Sequence, residues 1–343
     1  MTLELARRFP EISAKAYEHP ADKAATAAIA AIPAMDPLLK RLTELGLDRR
    51  TRQVLLGNAV RLGPDQVRSV WDVHVAVASA LDVEVPALYV TQSPLVNALT
   101  AGARRPVVVV FSPLVTGHDA GDVHVVLAHE MGHVLSEHYY YNGVLFLLRL
   151  LLTSVVPIPA LAGLPVRALY LALLEWSRAA ELSADRAAAI ALGDPLAVCA
   201  TLMRLAGGNL PEANLQAFLR QATEYVDEDD LFARHARLGT ELNQTHPFVV
   251  RRVRELVDWV GSGSYDRIVS GSYVRRGEEA PASAEFQAAV RHYQERFTLM
   301  LQRTAGGVSK LASQIQGWLR KSSGAGDDLL PDHDPFDPFD DGS

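Results

Sequence analysis

Two histidines and a glutamate have the types and the spacing that a hydrolytic metal site requires. His129 and His133 are four residues apart in the segment HEMGH. On a helix, their Cβ atoms lie about 5–6 Å apart on one face, so both imidazoles can bind one zinc ion. Glu130 is rotated by about 100° from His129 on that helix, so it can reach an activated water without binding the metal. The spacing predicts zinc ligands at His129 and His133 and a general base at Glu130.

A third ligand is needed, because a catalytic zinc usually has three protein ligands and one open position. Downstream, Glu181 and Asp185 are four residues apart in EWSRAAELSAD and share one helical face. We predict that Glu181 binds the metal and that Asp185 accepts the second ring N–H of a ligand histidine, which fixes its tautomer. Small residues around Glu181 and at Gly132 would let the two helices approach closely.

The elements that must position these residues include both helices and strands. One helix is expected from residue 119 to about 142, capped by Asp119 or Asp122, and another from about 165 to 191. Before them, PALYVT is predicted to be a strand and VNALT–GARRP–VVVVF a hairpin, with VVVVF covered on both faces. We therefore expect an α+β fold that is mainly helical and contains a small β-sheet.

Composition divides the chain into four regions. We expect a helical region over 1–82, the metal-binding domain over 83–262, a second helical region over 263–321, and a disordered acidic tail over 322–343. No chemistry is evident in the first of these regions.

The segment 144–174 is strongly apolar but interrupted. Arg149 and Arg167 lie within it, and prolines divide it into halves shorter than the ~20 residues that a bilayer core requires. We favour two buried helices joined by a Pro-rich loop. The alternatives are a hairpin that dips into a membrane surface and a spanning pair.

Charge and cysteine content limit partners and location. The formal net charge is −7, and seven aspartates without a Lys or Arg lie in residues 327–343. The remaining chain has no basic field for a phosphate backbone, so nucleic acid is not an expected partner. Cys199 is the single cysteine and the N-terminus lacks a secretory pattern. We expect a cytoplasmic protein, with peripheral membrane contact through 144–174 as an alternative.

Over roughly residues 85–260, the chain resembles the HtpX and CAAX-prenyl-protease family of zinc metallopeptidases. HEMGH is followed by the pattern R-x-x-E-x-x-x-D, and THPFVVRR is similar to the family's downstream T-H-P…R motif. The positions that match after HEMGH are Arg178, Glu181, Asp185, Thr245, His246, Pro247 and Arg252.

The resemblance implies a compact, thermolysin-like fold with one zinc per chain, and hydrolysis of peptide bonds in polypeptides. It implies that an edge strand within 107–111 aligns the substrate and that His246 faces the metal. Arg178 and Arg252 are implied to anchor the walls of the site. No spanning segment precedes His129, so ordinary polypeptide is expected as substrate rather than a prenylated protein.

Three further expectations follow. The enzyme would act in protein quality control near the membrane. Alternatively, the enzyme is latent, closed by His246 or by the insert 144–174, or the protein is a non-catalytic zinc-binding adaptor.

His124 and His138 are each five residues from a predicted ligand, so on one continuous helix they are expected to face away from the metal.

Overall fold

A four-stranded sheet and eleven α-helices make up the described part of this computed structural model, residues 8–30, 46–153, 166–227 and 247–279. The strands are β1 (Val60–Arg61), β2 (Ala87–Thr91), β3 (Ala98–Ala101) and β4 (Val107–Phe111). The helices are α1 (Pro20–Ala30), α2 (Leu47–Asn58), α3 (Arg68–Ala80), α4 (Ser112–Gly117), α5 (Ala120–Leu135), α6 (His138–Thr153), α7 (Val166–Leu192), α8 (Pro195–Gly207), α9 (Leu215–Asp227), α10 (Val249–Gly261) and α11 (Ser264–Val269). The fold is α+β and mainly helical, as predicted.

The sheet has the strand order β1-β2-β4-β3. β2 runs parallel to β4, whereas β1 and β3 are antiparallel to their neighbours. The predicted hairpin is confirmed as β3 and β4, and the four valines of β4 are buried. Gly102 lies in its turn with φ 140°, where a Cβ would meet the carbonyl oxygen of Arg105 at 2.8 Å.

The expectation that 107–111 offers an edge strand is wrong. β4 pairs with β2 on one side and with β3 on the other, so both of its edges are occupied. Among the described strands, the edge nearest helix α5 is β3, whose Thr100 contacts Glu130.

Helix α5 carries the HEMGH segment and is shorter than expected. The Asp119 side chain caps its start by accepting the N–H of Asp122 at 2.8 Å. It ends at Leu135, because Glu137 adopts a left-handed conformation with φ 55°. The chain turns there and starts α6 at His138, so the prediction of one helix to residue 142 is wrong.

Helices α5 and α7 are nearly in backbone contact at Gly132. A Cβ added to Gly132 would lie 2.7 Å from the Ala187 Cβ and 3.0 Å from the Ala184 Cα. Both alanines are fully buried. The close approach predicted from small residues on both helices is therefore present.

The described ends of the apolar insert pack against α1. Val144 and Leu148 of α6, Leu173 and Trp176 of α7 and Ile29 of α1 form one buried cluster. These contacts agree with the buried-helix interpretation, while residues 154–165 lie outside the described residues. Within the described ranges, no helix has both the length and the apolar composition that a membrane crossing needs. Contact with a membrane surface stays a prediction.

A buried ion pair holds the first turn of α5. Asp122 is fully buried and accepts hydrogen bonds from Arg204 Nε at 2.8 Å and from Thr201 Oγ1 at 2.7 Å. His118 Nδ1 lies 3.0 Å from the same carboxylate. Burial alone would raise the pKa of Asp122, but these partners outweigh it and hold that pKa below its usual value.

Replacing Gly132 by alanine tests the helix contact. Alanine favours a helix by about 1 kcal/mol over glycine, but the new Cβ would strike the backbone of Ala184. Overpacking of this kind costs about 1–3 kcal/mol, so we expect a net loss in the free energy of unfolding, measured with denaturant. The matched control is Gly57→Ala, in the exposed helix α2 with open space around it, which should not destabilise. Wild-type stability in Gly132→Ala would contradict the contact.

The Asp122 ion pair predicts a pH dependence. Because the folded-state pKa lies below the unfolded value of about 3.9, its contribution is present above pH ~4 and is lost as pH falls through the folded pKa. Asp122→Asn should lower the free energy of unfolding by about 3 kcal/mol at pH 7, and the difference from wild type should shrink as pH falls through the folded-state pKa of Asp122. Asp72→Asn, which breaks an exposed pair with Arg68, should cost less than about 1 kcal/mol. A pH-independent difference for Asp122→Asn would contradict the assignment.

Candidate metal centre

Three side chains from two helices converge at one point. His129 and His133 project from α5 and Glu181 from α7, and their ligand atoms lie within 4.8 Å of one another. The two Nε2 atoms are 3.2 Å apart, and each is 3.4 Å from an oxygen of Glu181. His133 and Glu181 are buried, and His129 is nearly so.

These separations fit a small tetrahedral cation. Two atoms bound at about 2.0–2.1 Å and the tetrahedral angle are about 3.3–3.4 Å apart. The two Nε2 atoms are 3.2 Å apart, and each lies 3.4 Å from a different Glu181 oxygen, Oε2 for His129 and Oε1 for His133, so all of these separations are close to that value. Two imidazole nitrogens and one carboxylate form a donor set that zinc accepts with one position left open. The three residues could therefore hold a metal ion.

A carboxylate and a guanidinium fix the orientation of His129. Its Nδ1 is 3.0 Å from Asp185 Oδ1, as the sequence predicted for Asp185. Arg252, on α10, donates to both oxygens of Asp185, at 2.6 and 2.7 Å. Its Nη1 also lies 3.3 Å from Glu181 Oε2. Arg252 thus neutralises part of the buried negative charge beside the three converging side chains.

The carboxylates make this point favourable for a cation. Burial alone would lower the pKa of His129, but its hydrogen bonds to Asp185 and Glu181 raise that pKa to about 10. The pKa of His133 is lowered, chiefly by burial, so its ring is neutral and keeps a lone pair. A metal ion that binds here must displace a proton, so its affinity falls with decreasing pH.

Glu130 lies beside the three converging side chains without joining them. It is buried, and its Oε2 accepts a short hydrogen bond of 2.6 Å from the Thr100 hydroxyl. That bond fixes one carboxylate oxygen and ties α5 to the edge strand β3. Sequence reasoning missed Thr100, because nothing in VNALT distinguishes its threonine from an ordinary strand residue.

His138 also reaches the site, contrary to expectation. Because the chain turns at Glu137, His138 begins α6 and folds back against α5, where its Nδ1 is 2.8 Å from His133 Nδ1. Its other nitrogen is 3.0 Å from Asp22 Oδ2 on α1. Sequence reasoning found no chemistry in 1–82 and so missed Asp22.

Arg178 and His246 are the remaining predicted site residues. Arg178 is buried on α7 and donates to Glu175 one turn earlier. His246 lies outside the described residues, and the described chain resumes at the buried Pro247.

Comparison with known proteins assigns the chain to a family. Residues 65–260 match the model of peptidase family M48. The chain is 32% identical over 271 residues to the plastoglobule-localized metallopeptidase 48, chloroplastic, of Arabidopsis thaliana, an alignment that covers 76% of this chain and 77% of the relative. No solved structure matches the chain.

The family match covers more than half of the chain and includes both HEMGH and the segment that carries Glu181. It confirms the resemblance to HtpX-type metallopeptidases. The chain therefore belongs to peptidase family M48, a family of metalloproteases that hydrolyse polypeptides.

Proposed function

We propose that the protein is a zinc-dependent metalloendopeptidase with a thermolysin-like active site. The observation that carries this proposal is the convergence of His129 Nε2, His133 Nε2 and the Glu181 carboxylate, with ligand atoms within 4.8 Å of one another, next to the buried carboxylate of Glu130. His129, His133 and Glu181 would hold the ion, and Glu130 would be the general base.

Zinc, when bound, supplies a Lewis acid that activates water and polarises the peptide carbonyl. Glu130 takes a proton from the water as its oxygen bonds to the scissile carbonyl carbon. The carbon–nitrogen bond then breaks, and Glu130 passes the proton to the leaving amine. Thr100 holds Glu130 Oε2 in place, so that the other oxygen is free for this transfer.

The substrate would be an extended peptide that pairs with β3. This strand has one edge without a partner strand among the described residues, and its Thr100 lies within hydrogen-bond distance of Glu130. Backbone pairing at such an edge gives affinity for many sequences. A peptide would therefore bind along β3 and not along 107–111, since β4 is paired on both sides.

His246 would face the metal, because it matches the histidine of the family's T-H-P…R motif. Arg252 supports this role, because it lies six residues after His246 and contacts both Asp185 and Glu181.

A latent enzyme closed by His246 is the alternative. A non-catalytic adaptor is less well supported, since a structural zinc site has no need of Glu130.

The decisive variant is Glu130→Gln. It keeps the shape of the side chain but cannot accept a proton, so zinc content should stay at one per chain while casein hydrolysis falls by about 10²–10⁴-fold. Glu181→Ala should lose the metal itself. Glu137→Gln, at an exposed carboxylate on the turn after α5, is the matched control and should keep zinc and activity. Full activity in zinc-loaded Glu130→Gln would reject the mechanism.

Thr100→Val tests the support of the general base. Losing a hydrogen bond to a charged group costs about 1.5–3 kcal/mol, so we expect kcat to fall roughly 10–100-fold. KM should change little, because the backbone of β3 is unaltered. Thr100→Ser keeps the hydroxyl and should restore most of kcat. Because Thr100→Val keeps the methyl group and loses only the hydroxyl, wild-type kcat in that variant would mean that the hydroxyl does not support Glu130.

A further inference from the structure

A chain of hydrogen bonds leaves the metal centre through the outer nitrogen of His133. His133 Nδ1 is 2.8 Å from His138 Nδ1, and His138 Nε2 is 3.0 Å from Asp22 Oδ2. All three side chains are buried. Asp22 belongs to α1, which precedes the residues 65–260 that match the family model. The metal centre therefore contacts a part of the protein that the family match does not include.

Each proton in this chain can be assigned from the type of its partners. The Asp22 carboxylate only accepts hydrogen bonds, so His138 carries its proton on Nε2. When His138 is neutral, its ring has one N–H, so His138 Nδ1 accepts and the proton between the two rings belongs to His133 Nδ1. His133 then has a lone pair on Nε2, the atom that lies 3.4 Å from Glu181. In this protonation state, the chain selects the ring form of His133 that can bind a metal.

Asp22 is held as an ionised acceptor from two helices. Ser183 Oγ, on α7, donates to its Oδ2 at 2.5 Å, and Thr26 Oγ1, on α1, donates to its Oδ1 at 3.2 Å. Burial alone would raise the pKa of Asp22, but His138 and the two hydroxyls outweigh it and hold that pKa below its usual value. Trp176 Nε1 donates to Thr26 and fixes that hydroxyl in turn. The carboxylate therefore has a set position relative to α7.

The same region offers a second interpretation, as a cation site. Glu18, Asp22 and His138 have ligand atoms within 4.8 Å of one another. However, both nitrogens of His138 and both oxygens of Asp22 already have hydrogen-bond partners. Glu18 has a raised pKa because of burial and the charge of Asp22, and Lys15 Nζ lies 3.0 Å from its Oε2. The hydrogen-bonded chain accounts for the contacts of His138 and Asp22 without an ion, and Lys15 balances the charge of Glu18.

We propose that Asp22 and His138 are positioning residues for the metal centre, and that they hold His133 in the ring form and orientation that binds zinc. This proposal rests on the proposed role of His133 as a zinc ligand. It assigns to α1 a function that its sequence does not reveal. Partners of ligand histidines typically change metal affinity by about 10–100-fold when removed.

Four variants of the full-length protein, one of them a control, separate this role from simple packing. Asp22→Asn and His138→Leu should each bind zinc about 10–100-fold more weakly, measured by competition with a chelator. In His138→Asn the amide oxygen can take the place of Nδ1 and accept the His133 proton, so its affinity should lie closer to wild type. His74→Leu removes another fully buried histidine, one that bonds instead to the Pro86 carbonyl, and should leave zinc affinity unchanged.

A second measurement needs no variant and so does not depend on folding of the mutants. In zinc-loaded wild-type protein, ¹⁵N NMR of the histidine rings should show His133 protonated at Nδ1 and His138 protonated at Nε2 only. Wild-type zinc affinity in folded His138→Leu, a metal on His133 Nδ1, or two zinc ions per chain would overturn the proposal while the peptidase assignment stands. A wild-type protein that binds no zinc would overturn both.

Discussion

The site depends on the lack of a side chain at Gly132, where α5 meets α7. The Cβ of any other residue would lie 2.7 Å from the Ala187 Cβ. Gly132 precedes His133 by one residue, and Ala184 follows Glu181 by three, so one helix contact sets the distance between the ligands on both helices. Separations of 3.4 Å between the histidines of α5 and Glu181 of α7 require backbones that nearly touch. Larger residues at this contact would leave the same ligands too far apart for one small ion.

Buried charge is the second constraint, because an ion removed from water is costly unless it is paired and hydrogen-bonded. Asp185 meets this requirement through Arg252 and His129, and each ligand histidine has its outer nitrogen engaged. The bonds that satisfy these groups also orient the rings, so the three ligand atoms converge without reorganisation. A cation bound here as proposed would need little rearrangement of these side chains.

Much of this arrangement could be predicted from local spacing. Residues four apart on a helix share a face, which placed the HEMGH histidines together and Glu181 with Asp185. The links through Glu137, His138 and Asp22 could not be predicted in the same way. A left-handed glutamate has no sequence signature comparable to glycine, and Asp22 is 116 residues away from His138. The order of the strands could not be predicted from local sequence either. VVVVF predicts a strand covered on both faces, but it does not indicate which strands flank it.

X-ray absorption at the zinc edge of the full-length, zinc-loaded protein can show whether His129, His133 and Glu181 bind one zinc ion. We expect only nitrogen and oxygen neighbours, at about 2.0–2.2 Å, together with the outer-shell scattering of two imidazoles. If His133→Ala retains the metal, that scattering should fall to one imidazole. A sulfur neighbour at about 2.3 Å, or a spectrum that His133→Ala leaves unchanged, would contradict this set of ligands.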